Sequence, residues 1–204
     1  MKTPQFFELD TLSEAALAAE AAAGLASSTA TVAPKFFYDA LGSRLFDAIT
    51  ELPEYYPTRT EAAIFAADGA AIAEAALACS GVAPAVDLGA GNCAKAARLF
   101  WALQPRRYVA VDISVAFLRQ ALEALQREHP ALELAGVDRD FSARFALPPL
   151  LLGGGGVGIF YPGSSIGNFA PDEALRLLRE GARAGARRPG GGRARRPHRP
   201  APTS

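Results

Sequence analysis

This 204-residue chain is predicted to adopt an α/β fold built on a parallel, doubly wound sheet. Three observations predict it. Short apolar runs alternate with helix-length segments from Pro84 onward. The first run passes through Val86-Asp87-Leu88 into Gly89-Ala90-Gly91-Asn92, which reads as a buried strand turning sharply on two glycines into a helix. A second run, Val109-Ala110-Val111-Asp112, again ends in an acid. Strands separated by helices of roughly ten to fifteen residues need crossover connections, and crossovers pair strands in parallel.

Residues 13–26 are Ala-rich and helix-prone, and the Ser27-Ser28-Thr29 cluster ends that helix. Residues 41–49 form a short helix with Leu45, Phe46 and Ile49 on one face. Pro53 and Pro57 make residues 52–57 a rigid loop that holds Tyr55 and Tyr56. Thr58 and Glu61 have capping-box spacing and open a long helix that Gly81 stops. Then follow strand 84–88, helix 92–103, strand 107–112, a helix capped by Ser114 running to Glu128, and strand 132–137. After the low-complexity Gly153 to Gly156 come strand 157–161 and a last helix opened by Pro171-Asp172-Glu173. Four strands are countable, and the pattern fails after Glu180.

Half of the residues are hydrophobic, enough for a substantial core. No apolar run is long enough for a membrane span, and Met1-Lys2-Thr3-Pro4 lacks the apolar region of a secretory signal. Cys79 and Cys93 stand alone, with His129 and His198 the only histidines, so a metal site is not expected. Reduced thiols and a cytoplasmic location are expected, and Cys93 reads as a small packing residue. Net charge is zero only on average. Residues 1–178 carry 13 Lys and Arg against 20 Asp and Glu, whereas residues 179–204 carry 8 Arg against one Glu. That break suggests an N-terminal helical segment (1–60), a sheet domain (61–180) and a basic tail (181–204) with no apolar periodicity.

The glycine turn brings backbone close to a nucleoside-bearing cofactor, and Asp87 bears on which one. A pyrophosphate at the helix N-terminus would be repelled by a carboxylate just before the turn. S-adenosylmethionine carries an ammonium and a sulfonium but no phosphate, and Asp87 would attract both charges. Asp112 would accept hydrogen bonds from the ribose hydroxyls. Gly89-x-Gly91-x-x-Ala94 also satisfies the dinucleotide pattern, so NAD remains the rival on spacing alone. The eight arginines of residues 179–204 raise nucleic-acid binding as an alternative of another class, but interleaved aromatics and a binding motif are missing and the body is acidic.

Several longer strings carry a more specific signal: PKFFYDALGS (34–43), ELPEYYPTRTE (51–61), Asp87-Leu88-Gly89-Ala90-Gly91, Asp140-Phe141, and YPGSSIGNF (161–169). From about Pro34 to Arg179 the chain resembles the histidine-specific Nα-methyltransferases of ergothioneine biosynthesis. The resemblance implies a Rossmann-like class I methyltransferase sheet, incomplete on its C-terminal side, with an N-terminal helical segment contributing to the substrate site. It implies transfer of methyl groups from S-adenosylmethionine to the α-amine of histidine, giving hercynine. Gly89, Lys95, Asp112, Asp140 and Phe141 match cofactor-binding positions, which Asp87 and Gly91 join on charge and turn geometry. Tyr55 and Asn168 match positions holding the amino-acid end of histidine, and Tyr38 one near the imidazole. An amide such as Asn168 donates to a carboxylate and accepts from an amine, so it suits an amino acid's backbone. Lys95 reads equally as a solvated surface lysine, and Phe141, Phe169 and Tyr56 as core residues. No dedicated catalytic base is visible or required, since alignment of a neutral amine with the S–CH3 bond carries most of the reaction.

Members of that family are considerably longer. They complete the sheet with further strands and carry an inserted segment that recognises the imidazole. Here the Arg-, Pro- and Gly-rich residues 181–204 stand instead, as a frameshift near Gly181 in GC-rich coding DNA would leave them. Methylation of another amino acid, or a non-catalytic cofactor-binding remnant, are the corresponding alternatives. A four-stranded remnant would leave one sheet edge unpaired and apolar helix faces uncovered. The partner expected is a small-molecule amino acid; oligomeric state is not legible.

Overall fold

The computed structural model of the chain describes residues 1–9, 13–80, 85–141, 145, 147–152 and 157–185. The expected Gly81 helix stop, the glycine run 153–156 and most of the basic tail lie outside the described residues. In chain order the elements are β1 (Gln5–Glu8), α1 (Glu14–Leu25), a 3-10 turn at Pro34–Phe37, α2 (Ala40–Thr50) and α3 (Pro57–Ser80). Next come β2 (Ala85–Leu88), α4 (Ala94–Ala97), α5 (Phe100–Leu103), β3 (Arg107–Asp112), α6 (Val115–Glu128) and β4 (Glu133–Asp138). The chain continues through α7 (Pro149–Leu152), β5 (Gly158–Phe160), a second 3-10 turn at Ser165–Asn168 and α8 (Pro171–Gly185).

The strands form a single parallel sheet in the order β1-β4-β3-β2-β5. The predicted α/β class and parallel pairing hold, but the strand count does not. Four strands were countable because Gln5-Phe6-Phe7-Glu8 is too short to show a period of its own. It pairs with β4 in register, Phe6 opposite Gly136, so the outer edge of β4 is covered. Tertiary contacts hold β1 there. A Cβ on Gly136 would stand 2.8 Å from the Phe6 ring and 2.9 Å from Leu122 of α6, so Phe6 fills the space a side chain would occupy. The Arg119 guanidinium lies 4.2 Å over the Phe6 ring and pairs with Glu8 at 3.3 Å. Gly136→Ala is therefore expected to cost about 1–3 kcal/mol through overpacking, seen as a lower midpoint in urea unfolding.

Alternation along the central strands divides the interior into two clusters, one on each face of the sheet. Val86, Leu88, Val109, Val111 and Val137 face one way, with Leu151, Val157 and Leu177 packed on them. Tyr108, Ala110 and Leu134 face the other, under Ala96, Phe100, Leu118, Leu122 and Leu125. The one-residue step places Asp87 on this second face. Helix α6 buries Leu118, Leu122, Leu125 and Gln126, a helical stripe. The Gln126 amide donates to the carbonyls of His129 (2.9 Å) and Leu132 (3.1 Å), closing the turn into β4.

Local expectations met mixed outcomes. Ser13 caps α1, its hydroxyl accepting from Ala16 N–H. Glu173 reaches back to Ala170 N–H at 3.0 Å, so the acids after Pro171 do open α8. The expected helix 92–103 is instead two single turns, because Leu99 and Ala102 N–H bond three residues back. The side chain of Ser114 makes no capping bond. Helix α3 starts at Pro57, which places Thr58 inside the first turn, and Glu61 turns to Lys95 rather than completing a capping box. Nor does the structure break at Gly181: α8 runs to Gly185, with Gly181 buried against Ile159. The face of α2 carrying Leu45 and Ile49 is exposed, as are Leu41, Leu52 and Tyr56 beside it.

Candidate functional site

All five strands point the same way, so the C-terminal ends of β2, β3 and β4 meet on one edge, where ligands bind in open parallel sheets. Strand β2 leaves that edge through Gly89 at φ +66° and Gly91 at φ +53°, left-handed conformations that only glycine takes without a Cβ penalty. The turn is tied to β3: Gly89 and Ala90 N–H donate to the Val111 carbonyl at 2.9 and 3.2 Å. Asp112 clasps it further, accepting from Gly91 N–H at 2.9 Å through Oδ2 and from Ser114 N–H at 3.0 Å through Oδ1. It is Asp112, rather than the Ser114 hydroxyl, that serves the start of α6. Burial raises the Asp112 pKa, opposed by these backbone hydrogen bonds. Over Gly91 no heavy atom of the described residues, its chain neighbours aside, lies within 4 Å of where a Cβ would stand, while the Phe141 ring comes within 3.7 Å of that point on Gly89.

Asp87 lies beneath this turn, 1% exposed. Tyr108, on β3, donates its hydroxyl to Asp87 Oδ2 at 2.7 Å, and Oδ1 has no hydrogen-bond partner among the described residues. Burial pushes the Asp87 pKa up to about 7; the Tyr108 bond opposes this, Asp112 adds to it, Lys95 lowers it and Glu61 raises it. Asp87 is therefore not a surface contact. Cys93, fully buried at φ +62°, covers the same pocket, and burial pushes its thiol up to about 12. That is a packing residue, as the sequence indicated, not a nucleophile.

Lys95 pairs with Glu61 of α3 at 2.7 Å and keeps its side chain 41% exposed. Its Nζ stands 3.0 Å from the Cβ position of Gly163, whose φ is +87°, so the PGSS turn folds directly over it. Asp140 follows β4 and is largely covered, with Lys35 Nζ 3.3 Å from its Oδ2. Phe141 packs edge-on against Tyr161 at 5.7 Å, and the Tyr161 hydroxyl accepts from Ser165 in the turn that carries Asn168.

Two of the candidate substrate residues, Tyr38 and Tyr55, belong to the N-terminal part of the chain. Tyr38 and Tyr55 share one ring between them, Phe46, at 6.2 and 5.8 Å. The loop bearing Tyr55 is held by more than its prolines: the Arg59 guanidinium donates to the carbonyls of Leu52 (2.9 Å), Pro53 (2.5 Å) and Tyr55 (3.4 Å). Asn168 is exposed on its 3-10 turn. Asp87, Gly89, Gly91, Lys95, Asp112 and Phe141 thus gather at the sheet edge, and Tyr38 joins Tyr55 through Phe46. Phe46, Arg59, Lys35, Glu61 and Tyr108 were not singled out from sequence as site residues. Phe46 was legible only as one apolar position of a helix, and Tyr108 only as a strand residue.

A parallel sheet with a glycine turn clasped by one strand-end carboxylate, and a second carboxylate buried beneath it, has the layout of α/β folds that take ligands at their strand ends. Among the described residues no cluster of His, Cys, Asp and Glu could hold a metal, and no helix is long and apolar enough to cross a membrane. The chain belongs to the histidine-specific, S-adenosylmethionine-dependent methyltransferase family, whose model matches residues 17–192. It is 38% identical to histidine N-alpha-methyltransferase of Mycolicibacterium smegmatis over 167 residues, 80% of this chain and 50% of that protein. It is 39% identical to the protein of the same name from Mycobacterium tuberculosis over 180 residues, 86% of this chain and 53% of that one. Ergothioneine biosynthesis protein 1 of Schizosaccharomyces pombe is 30% identical over 154 residues, covering 70% of this chain and 19% of that protein. The chain therefore spans about half the length of the first two relatives. Membership of this family favours the methyl donor over NAD.

Proposed function

We propose that this chain forms the donor-binding part of an enzyme that methylates the α-amine of L-histidine. The observation that carries this reading is the buried, unpartnered Oδ1 of Asp87 beneath a glycine turn whose outer side is open. A buried carboxylate with one oxygen left unbonded suits a cationic ligand and disfavours a pyrophosphate. The residues present fit S-adenosylmethionine, which when bound supplies an electrophilic methyl on a sulfonium.

Asp112 would serve the ribose hydroxyls with the lone pairs its backbone hydrogen bonds leave. Asp140 and Phe141 would serve the adenine, one as acceptor and one as apolar wall. Lys95 would meet the donor's carboxylate in exchange for Glu61. Tyr38 and Tyr55, spaced by Phe46, would hold the amino acid together with Asn168, and their work is alignment. The acceptor amine must be neutral to attack, so its proton leaves to water; no side chain of the site is required as base.

The test is equilibrium binding of L-histidine and of histamine to the chain saturated with S-adenosylhomocysteine. L-Histidine is expected to bind at least about tenfold tighter, since only it offers the carboxylate that Asn168 and Tyr55 would hold, and Asn168→Ala should erase the difference. Equal affinities for the two would refute the assignment of the amino-acid end.

A further inference from the structure

Lys35 belongs to none of the cofactor or substrate groups above, yet its ammonium sits among them. It bridges Glu20 of α1 at 2.8 Å and Asp140 at 3.3 Å, and its side chain is only 19% exposed, with that of Asp140 at 13%. Burial works against the ammonium, but the hydrogen bonds to Glu20 and Asp140 overcome it and hold its pKa above the ordinary value. The backbone carbonyl of the same residue accepts from Tyr38 N–H at 3.1 Å. One residue thereby connects three places: the first helix, the turn that presents Tyr38, and the carboxylate after β4.

We propose that Lys35 is a positioning residue for the adenine end of the methyl donor, holding Asp140 in place as an acceptor for the exocyclic amine. The proposal rests on the assignment of Asp140 to adenine in the preceding section. The amine of adenine only donates, so its partner must be an acceptor held in place. A carboxylate that swings into solvent supplies none. An ionised carboxylate accepts about four hydrogen bonds, so the ammonium at Oδ2 does not saturate it. A hypoxanthine base in the same place presents a carbonyl oxygen instead of the amine, and a fixed carboxylate repels it. Lys35 thus sets discrimination between the two bases without touching either, and through Tyr38 the same turn anchors the amino-acid side to the donor side.

The experiment measures the dissociation constants of S-adenosylhomocysteine and S-inosylhomocysteine by calorimetry, and reads their ratio. Lys35→Met should weaken the adenosyl compound about tenfold and the inosyl compound less than about twofold, so that the ratio falls; Lys35→Arg, which keeps the charge, should hold the ratio. Equal weakening of both compounds would mean that Lys35 merely supports the fold and would overturn the proposal. It is also overturned if Asp140→Ala lowers the ratio while Lys35→Met leaves it intact. A ratio insensitive to Asp140→Ala would instead refute the adenine assignment itself. Should Lys35→Met not fold, Glu20→Gln decides: it leaves the Lys35–Asp140 contact in place, so a retained ratio supports the proposal and a lost ratio overturns it.

Discussion

Asp87→Asn is expected to flatten two pH dependences of opposite sign. In the folded chain the Asp87 pKa is raised from 3.8 to about 7, chiefly by burial. Between those values the native state keeps a proton that the unfolded chain has released. Stability therefore falls as pH rises from about 4 to 7 and levels off above, by up to roughly 4 kcal/mol if the whole shift is expressed. Binding of a cationic donor runs the other way, because it favours the ionised carboxylate and strengthens as pH rises through 7. The asparagine variant keeps an acceptor for the Tyr108 hydroxyl but carries no charge. Its difference from wild type in urea unfolding should grow from pH 5 to about 7 and flatten above, with the variant the more stable at the alkaline end. Over the same range donor affinity of the variant should stay flat and fall at least about tenfold below wild type at pH 8. A variant with the wild-type slope in both measurements would show that Asp87 does not titrate in this window.

The second large effect concerns Gly91. Valine there must adopt φ near +53°, which costs an L-residue on the order of 1–2 kcal/mol, but nothing among the described residues beyond its chain neighbours lies within 4 Å of its Cβ. Gly91→Val should therefore fold with modestly reduced stability and lose donor affinity by more than about a hundredfold, because its methyls fill the space proposed for the ligand. Retained affinity would place the ligand elsewhere. The contrast with Gly136→Ala is useful, since that substitution should cost stability and leave the binding edge untouched.

The central sheet was legible because three of its strands are buried on both faces and are separated by helices, so composition and spacing suffice. The first strand was not, since Gln5–Glu8 has no pattern apart from its partner; the signal is Phe6 lying over Gly136, a contact 130 residues away in sequence. The glycine turn and both strand-end acids were legible for the opposite reason, as their constraints are local. What local reading missed was orientation. Alternation put Asp87 on a buried face, and only the pairing of β2 with β3 sets Tyr108 beside it. Likewise Lys35 and Asp140 are far apart in sequence, and no local pattern marks them as partners.

The claim on which the rest stands is that the edge formed by Asp87, the two glycines and Asp112 receives a cationic methyl donor. Isothermal titration of the chain at pH 8 with S-adenosylmethionine, and separately with NADH, tests it most directly. One-to-one binding of S-adenosylmethionine that is abolished in Gly91→Val, with no heat from NADH, is the predicted result. Saturable binding of NADH that Asp87→Asn strengthens would contradict it.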